Sequence, residues 1–484
     1  MTAVLERPDL IAALAAHHLT ADLSVAARST APARGTAGDI VHPHAAGLEL
    51  IGATTAVPLA DGRHIEYANL DHGASAPALR VVRDTVDRLL ESYASVHRGA
   101  GWNSRVCTAL YEGAREPVRT FVGGRDDDAV IFTKNTTDAF NLLAHCLPAR
   151  TTVVVFETEH HAALLPWSRS GNQTVVRLAA PDSPDAAVAA VDDALRRRSP
   201  GPALVVVTGA SNVTGEIWPI ARLAAVARAR GARIALDAAQ LAPHRPFSIA
   251  ELGVDYVALS GHKLYAPYGA GALVGRTDWL AAAPPYLIGG GATAVVTDTE
   301  TTFKPVPDRH EAGSPNVPGA VALATACHVL QQADRDALAT LEAALTDRLS
   351  LGLADIPGVT VHTLFGGRAD AIGVVTFTVA GQSSATVAAA LSAEHGIGVR
   401  DGAFCAQPFV RYLLGTAGCA SADGAGHALR ASVGLGTTSE HVERLVVAVE
   451  SIAATGPRRQ YVVVDGRPVP AVDGRELPRI APWQ

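Results

Sequence analysis

The chain has no C-x-x-C pair, no apolar run long enough for a membrane helix and no dense stretch of lysine and arginine. Each absence removes a class of function. The five cysteines, Cys107, Cys146, Cys327, Cys405 and Cys419, are odd in number and scattered, which argues against a disulfide framework and a structural zinc site. Free thiols belong to a reducing compartment. A membrane helix needs about 18 consecutive apolar residues, and no stretch approaches that length. Leu10–Ala16 is apolar, but Glu6, Arg7 and Asp9 precede it, where a secretory signal carries positive charge alone. A net charge of −7 without a basic run offers nothing to nucleic acid or to an anionic membrane. These readings predict a cytoplasmic protein that binds neither. No Gly-rich phosphate loop ending in Lys-Ser or Lys-Thr occurs, and no H-E-x-x-H pair, so no metal site is expected.

What is present describes a well-packed globular protein. Of the 484 residues, 48% are hydrophobic and 18% charged, the reverse of a disordered composition. The length predicts two domains with terminal extensions. Residues 1–60 read as an N-terminal extension, with one helix over Leu10–His18. From about Ile65 short β-rich runs recur at Ala129–Thr133, Thr152–Phe156, Ala203–Thr208, Arg233–Asp237, Tyr256–Leu259 and Ala270–Val274. Helical patterns such as Ile220–Arg230, closed by Gly231, lie between several of them. Buried strands separated by helices predict an α/β domain over 61–330 with a mostly parallel sheet. Residues 331–455 read as a smaller α+β domain: helix Asp334–Leu353, strand Ala371–Val379, helix Ala385–His395, and helix Glu440–Ile452 opened by a capping box Thr437-x-x-Glu440. The tail, 456–484, carries an Asp465-Gly466 hairpin signal.

The segment Leu259-Ser-Gly-His-Lys263-Leu-Tyr-Ala-Pro-Tyr-Gly-Ala-Gly271 is the most informative. It sets a lysine directly after a buried strand, in a loop of glycine and proline. Burying an ammonium is costly and lowers its pKa, which is what covalent attachment to an aldehyde cofactor requires. Asp237, at the end of the strand Arg233–Asp237, suits a pyridine nitrogen, whose protonation a carboxylate maintains. Phe132-Thr-Lys-Asn-Thr136-Thr137-Asp138 leads from a strand into a helix. Threonines there serve as N-caps or as an anion site. Gly269–Gly275 is glycine-rich but opens no helix after a first strand, so it is no dinucleotide fingerprint.

Together these motifs resemble, from about Tyr67 to about Ile452, the class V aminotransferases, and most of all their group II cysteine desulfurases, the selenocysteine-lyase-like branch. The resemblance implies pyridoxal 5′-phosphate (PLP) fold type I: a large domain with a mixed, mostly parallel sheet and helices on both faces, plus a smaller α+β C-terminal domain. It implies that Lys263 carries PLP as a Schiff base, with Asp237 on the ring nitrogen, and that His160, from Glu159-His160-His161, stacks on the ring. Gln240 and Asn212 match residues near the phenolate oxygen, and Thr136, Thr137, Ser260 and His262 match phosphate ligands. Glu311-Ala-Gly-Ser314-Pro-Asn316 matches the segment whose hydroxyl contacts the neighbouring subunit's phosphate, which implies a homodimer with shared sites. Asn135 stands where the family has glycine, a position asparagine fills if the backbone is left-handed. In the smaller domain, Arg400-Asp-Gly-Ala-Phe-Cys405-Ala-Gln-Pro408 matches the segment of the nucleophilic cysteine, and Arg430 the arginine that clamps the substrate carboxylate. Arg400 is placed beside the substrate and as a cation favouring the Cys405 thiolate.

The implied activity is a cysteine desulfurase or selenocysteine lyase that takes L-cysteine to L-alanine, with a persulfide on Cys405 and a sulfur-acceptor protein as partner. The chain departs from the pattern at Ala403-Phe404, where His-His is common, at Gly436-Thr-Thr438, and in a Gly/Ala-rich insert at Gly415–His427. An aminotransferase, an epimerase or a C–S β-lyase of specialised metabolism therefore stays open as the alternative. A non-catalytic binding protein on the same fold is disfavoured by the intact Lys263–Asp237 pair.

Overall fold

Runs such as Thr152–Phe156 and Ala203–Thr208 hold almost nothing but valine and other apolar residues, a composition that suits a strand covered on both faces. The computed structural model, which describes residues 48–168, 171–367, 369–415 and 426–484, assembles them into a seven-stranded sheet. Its strands are β1 (Ala129–Thr133), β2 (Thr152–Phe156), β3 (Thr174–Leu178), β4 (Ala203–Thr208), β5 (Arg233–Asp237), β6 (Tyr256–Ser260) and β7 (Gly271–Gly275). The order across the sheet is β1-β7-β6-β5-β4-β2-β3. Neighbours from β6 to β3 pair in parallel, and β7 runs antiparallel to both β6 and β1. The sheet is thus mixed and mostly parallel, as the sequence implies. β3 is absent from the sequence reading. It is the edge strand, half exposed and interrupted by Arg177, so its composition lacks the buried signature.

A second, four-stranded sheet follows: β8 (Val359–His362), β9 (Val374–Val379), β10 (Arg400–Gly402) and β11 (Ala428–Ser432), in the antiparallel order β8-β9-β11-β10. Helices Arg335–Ala354, Ser384–His395 and Ser439–Thr455 accompany it. Leu349, Phe377, Leu391, Leu429 and Val449 meet in one apolar cluster there. Ala68 and Leu70 join the same cluster, and Ala68–Asn69 pairs in parallel with Ile397–Gly398. The segment that leads into Asp71 thus lies against the second sheet.

Several local expectations shift. The helix Val317–Gln332 was not legible, because it is buried on nearly every side and shows no polar stripe. The capping box lies one residue later than the sequence suggests: Thr438 caps, its hydroxyl accepting from His441 N at 3.2 Å, and the His441 ring returns the bond in place of Glu440. Asn135 is not left-handed; at φ −174° it is extended, and its side chain caps the helix Thr136–Cys146 by accepting from Asp138 N at 3.1 Å. Asp465 and Gly466, both at positive φ, turn an antiparallel hairpin of Tyr461–Val464 with Arg467–Pro470. Leu10–His18, Cys419 and most of the Gly/Ala-rich insert lie outside the described residues. Among the described residues, no helix is long and apolar enough to cross a membrane.

Candidate functional site

β6 ends at Ser260 and turns at once into a single 3-10 turn, Gly261–Lys263. Gly261 N donates to Ala270 O at 2.8 Å, and the N–H groups of Leu264 and Ala266 return to Gly261 O. The turn brings Lys263 beside the end of β5, where Asp237 is 5% exposed. Burial pulls the Lys263 ammonium down to about 8, against the attraction of the Asp237 carboxylate. Burial pushes the Asp237 carboxyl up, while the Ala239 N–H (2.9 Å) and the Lys263 charge oppose that shift.

The start of the helix Thr136–Cys146 packs against the same turn. Ser260 Oγ accepts from Thr136 N at 2.9 Å and shares a hydrogen with Thr136 Oγ1 at 2.8 Å. Thr137 is exposed on the first turn. Gly271 makes the approach possible, since a Cβ there would meet Leu259 O at 2.4 Å and Asn135 Cα at 2.7 Å. Backbone N–H groups and hydroxyls gathered at a helix start form an anion cradle.

His160 caps the short helix His161–Leu164, its Nδ1 accepting from Ala162 N at 3.1 Å. With Nδ1 an acceptor, the ring proton sits on Nε2. Burial, with the Lys263 charge behind it, pulls His160 down to about 3, so the ring is neutral at physiological pH. Glu159 beneath it is fully buried, and its carboxyl is pushed well above the ordinary range by that burial; Oε1 accepts from Thr208 N at 3.0 Å.

From the second sheet come Arg430 and the Cys405 loop. Arg430 is 3% exposed on β11; Nη1 donates to Asn212 O at 2.9 Å and Nη2 to Asp71 Oδ1 at 3.3 Å, while Nε has no partner. The Asn212 side chain donates to Phe404 O at 2.8 Å. His161 N donates to Cys405 O, also at 2.8 Å. Phe404 and Cys405 both sit at positive φ, 53° and 54°, a sparsely populated geometry for such residues that these bonds maintain. The Phe404 ring lies under the Arg430 guanidinium, 5.3 Å away. Cys405 is exposed, whereas Cys107, Cys146 and Cys327 are buried. Lys263 and Arg430 are the cations whose charge couples to Cys405. Arg400, expected in that role, is half exposed on β10 and lies 3.9 Å from Asp71 Oδ2.

The structure therefore gathers Lys263, Asp237, His160, Asn212, Cys405 and Arg430 into one linked cluster, with Thr136 and Ser260 at the end that offers an anion cradle. Gln240 joins through Nε2, which donates to Gly73 O at 2.7 Å. His262 is half-buried, its carbonyl accepting from Ala76 N at 2.8 Å. Ser314 stands exposed in its turn, and no described contact joins it to the cluster. Its segment is anchored by Glu311, which accepts from Arg115, Tyr111 and Phe132 N. The sequence reading missed Asp71 and Gly73. Their signal was the Asn69-Leu-Asp71-His-Gly73 turn, which composition alone makes an ordinary loop. His97, Glu112 and Asp308 bring ligand-type atoms within 4.8 Å of one another, but Arg115 and Lys304 pair with the two carboxylates at 3.0 and 2.9 Å, which makes the group an ion-pair network.

Comparison with known proteins matches residues 68–445 to the family described as Aminotransferase class-V. A probable cysteine desulfurase of Mycolicibacterium paratuberculosis (strain ATCC BAA-968 / K-10) is 34% identical over 395 residues, 80% of this chain and 55% of the relative. One from Vibrio cholerae serotype O1 is 34% identical over 400 residues, 81% of this chain and 94% of the relative. The chain thus spans little more than half the length of the first and nearly all of the second. The crystal structure of a cysteine desulfurase from Escherichia coli superposes with a TM-score of 0.69 at 30% identity, covering 80% of this chain and 94% of that one.

Proposed function

The chain belongs to the class V aminotransferase family, and from that premise we propose that it is a PLP-dependent cysteine desulfurase, converting L-cysteine to L-alanine with the sulfur retained on Cys405. The observation that carries the proposal is the linked cluster of Lys263, Asp237, Arg430 and Cys405, drawn from separate segments of both sheets.

The residues present fit PLP. Gln240 Oε1 is buried without a partner, a cost that a polar ligand removes. A buried carboxylate, a lysine of lowered pKa and a helix-start anion cradle are the donor set that the ring nitrogen, the aldehyde and the phosphate require. In this reading Asp237 faces the ring nitrogen, Lys263 forms the covalent link, His160 covers a ring face, and Gln240 and Asn212 lie toward the phenolate oxygen. Thr136, Thr137, Ser260 and His262 take the phosphate. When bound, the cofactor supplies an electron sink that makes loss of the substrate's Cα proton feasible.

The chain's own groups do the rest. Arg430 receives the substrate carboxylate on its unpartnered Nε side. Lys263, with a pKa of about 8, is close enough to neutrality to hold and release the Cα proton. The neutral His160 adds no competing charge. Cys405 sulfur forms an S–S bond with the substrate Sγ as the Cβ–Sγ bond breaks, and the remaining three-carbon unit regains a proton and leaves as alanine. The exposed Cys405 then passes its sulfur to an acceptor protein. We also read the enzyme as a cytoplasmic homodimer in which Ser314, held out by the Glu311 anchor, completes the partner's phosphate cradle.

The test is product analysis of the PLP-loaded protein with L-cysteine and dithiothreitol. Equal amounts of alanine and sulfide are expected, lost in Cys405→Ser with PLP retained. Phe404 favours a second reading. It sets an apolar ring beside Cys405 where the family commonly has histidine, an environment that suits another class V reaction. Formation of a keto acid with amino-group transfer, and no alanine, would establish that alternative.

A further inference from the structure

Two guanidinium groups and one carboxylate meet at the edge of the cluster. Asp71 Oδ1 accepts from Arg430 Nη2 at 3.3 Å, and Oδ2 lies 3.9 Å from Arg400 Nη1. Asp71 is not a loose surface acid. Its N–H donates to Asn69 Oδ1 at 3.1 Å, its carbonyl accepts from Ala74 N at 3.0 Å, and it bridges to Ser432 beside Arg430. Gly73 N donates to Ser432 Oγ at 2.8 Å, and a Cβ on Gly73 would meet Arg430 Nη2 at 3.3 Å. The loop is therefore built to bring a carboxylate against Arg430. Asp401, the neighbour of Arg400 on β10, pairs with Leu429 and so projects from the opposite face of the sheet to Arg400 and Arg430.

We propose that Asp71 determines substrate specificity: by taking up one of the two guanidinium charges, it matches the pocket to an amino acid with a single carboxylate and disfavours one with a second acidic group. The inference rests on the reading of Arg430 as the carboxylate-binding group. With Asp71 in place the trio carries one net positive charge. A monocarboxylic substrate neutralises it, while a second acidic group meets Asp71 with nothing left to offset the repulsion. Without Asp71 the two arginines present two charges, and a diacid becomes the better match.

The test is calorimetric titration of the PLP-loaded enzyme at pH 8 and low salt with L-alanine, L-aspartate and ethylamine. Wild type binds L-alanine more tightly than either of the others. Asp71→Asn raises the ratio of aspartate to alanine affinity by about tenfold, the size expected for one charge at several ångströms in a medium of intermediate dielectric. Asp71→Glu keeps the wild-type ratio. Arg400→Gln, at an exposed position where folding is not at stake, lowers the ratio, and combining it with Asp71→Asn returns the ratio toward wild type. A wild-type enzyme that binds ethylamine as well as L-alanine overturns the carboxylate reading of Arg430, and this inference with it. A wild type that does discriminate, with ratios unchanged in Asp71→Asn and Arg400→Gln, overturns the role of Asp71 alone.

Discussion

His72, the neighbour of Asp71, offers a measurable link between this loop and acid stability. It is 6% exposed, and its Nδ1 is buried without a partner. Burial, with His244 and His441 adding to it, pulls the imidazole from 6.5 down to about 4. Folding therefore holds it neutral where the unfolded chain binds a proton. The unfolded state carries the extra proton between those values, so stability is complete above pH 6.5 and falls as pH drops toward 4. At 1.36 kcal/mol per unit, a displacement of that size amounts to about 3 kcal/mol, a large fraction of a typical folding free energy. The assay is the urea midpoint of wild type and His72→Asn, the latter neutral at every pH, between pH 7 and 4. Other groups titrate in both proteins and cancel in the difference. The variant should be the weaker at pH 7, through lost packing against Gly434 and Tyr265, and should close most of that gap by pH 4. Parallel curves across the range would refute the argument.

Lys263→Ala should fold yet lose the borohydride-reducible absorbance of bound PLP; a band near the wild-type level would remove Lys263 from its assigned role. Gly271→Ala forces a methyl against Leu259 O and Asn135 Cα and should weaken PLP binding by about 1–3 kcal/mol, the usual range for overpacking, as read from the dissociation constant. Glu216→Gln replaces an oxygen that accepts from backbone N–H with an amide that cannot. The carboxylate takes Leu364 N and Phe365 N, both at 2.7 Å, so melting should fall by about 1–3 °C, and an unchanged midpoint would contradict the assignment.

The buried strands, the Lys263 turn and the Asp237 strand end were legible because each is a local pattern: an apolar run, a Gly/Pro-rich loop, a carboxylate after a β segment. What escaped was set by distant neighbours. β3 is short, interrupted by Arg177 and half exposed at an edge, and Val317–Gln332 has no stripe because nearly every face of it is covered. Asn135 keeps an extended backbone, so its replacement of glycine is explained by capping rather than by left-handed geometry. Arg400 lies across from Arg430 and 3.9 Å from Asp71, a matter of strand register between β10 and β11 that spacing does not encode. Lys263 and Arg430, which the fold gathers with Cys405, come from segments whose approach no local pattern announces.

The bonds of the Asp71 loop also bear on how the protein comes to life on the ribosome. Gly73 and Asp71 reach partners 359 residues further along the chain, in Ser432 and Arg430. The seven-stranded sheet, complete by Gly275, has its strands to hand during synthesis, but the Arg430 and Ser432 partners of this loop do not exist until β11 has emerged. For that interval the early segment must wait unpaired, with Ala68 and Leu70 still lacking the apolar neighbours that later cover them. Assembly of the Asp71–Arg430 contact is thus placed among the last events of synthesis, and on the function proposed above a chain cut short before β11 would keep the Lys263–Asp237 pair but lack the arginine assigned to the substrate carboxylate.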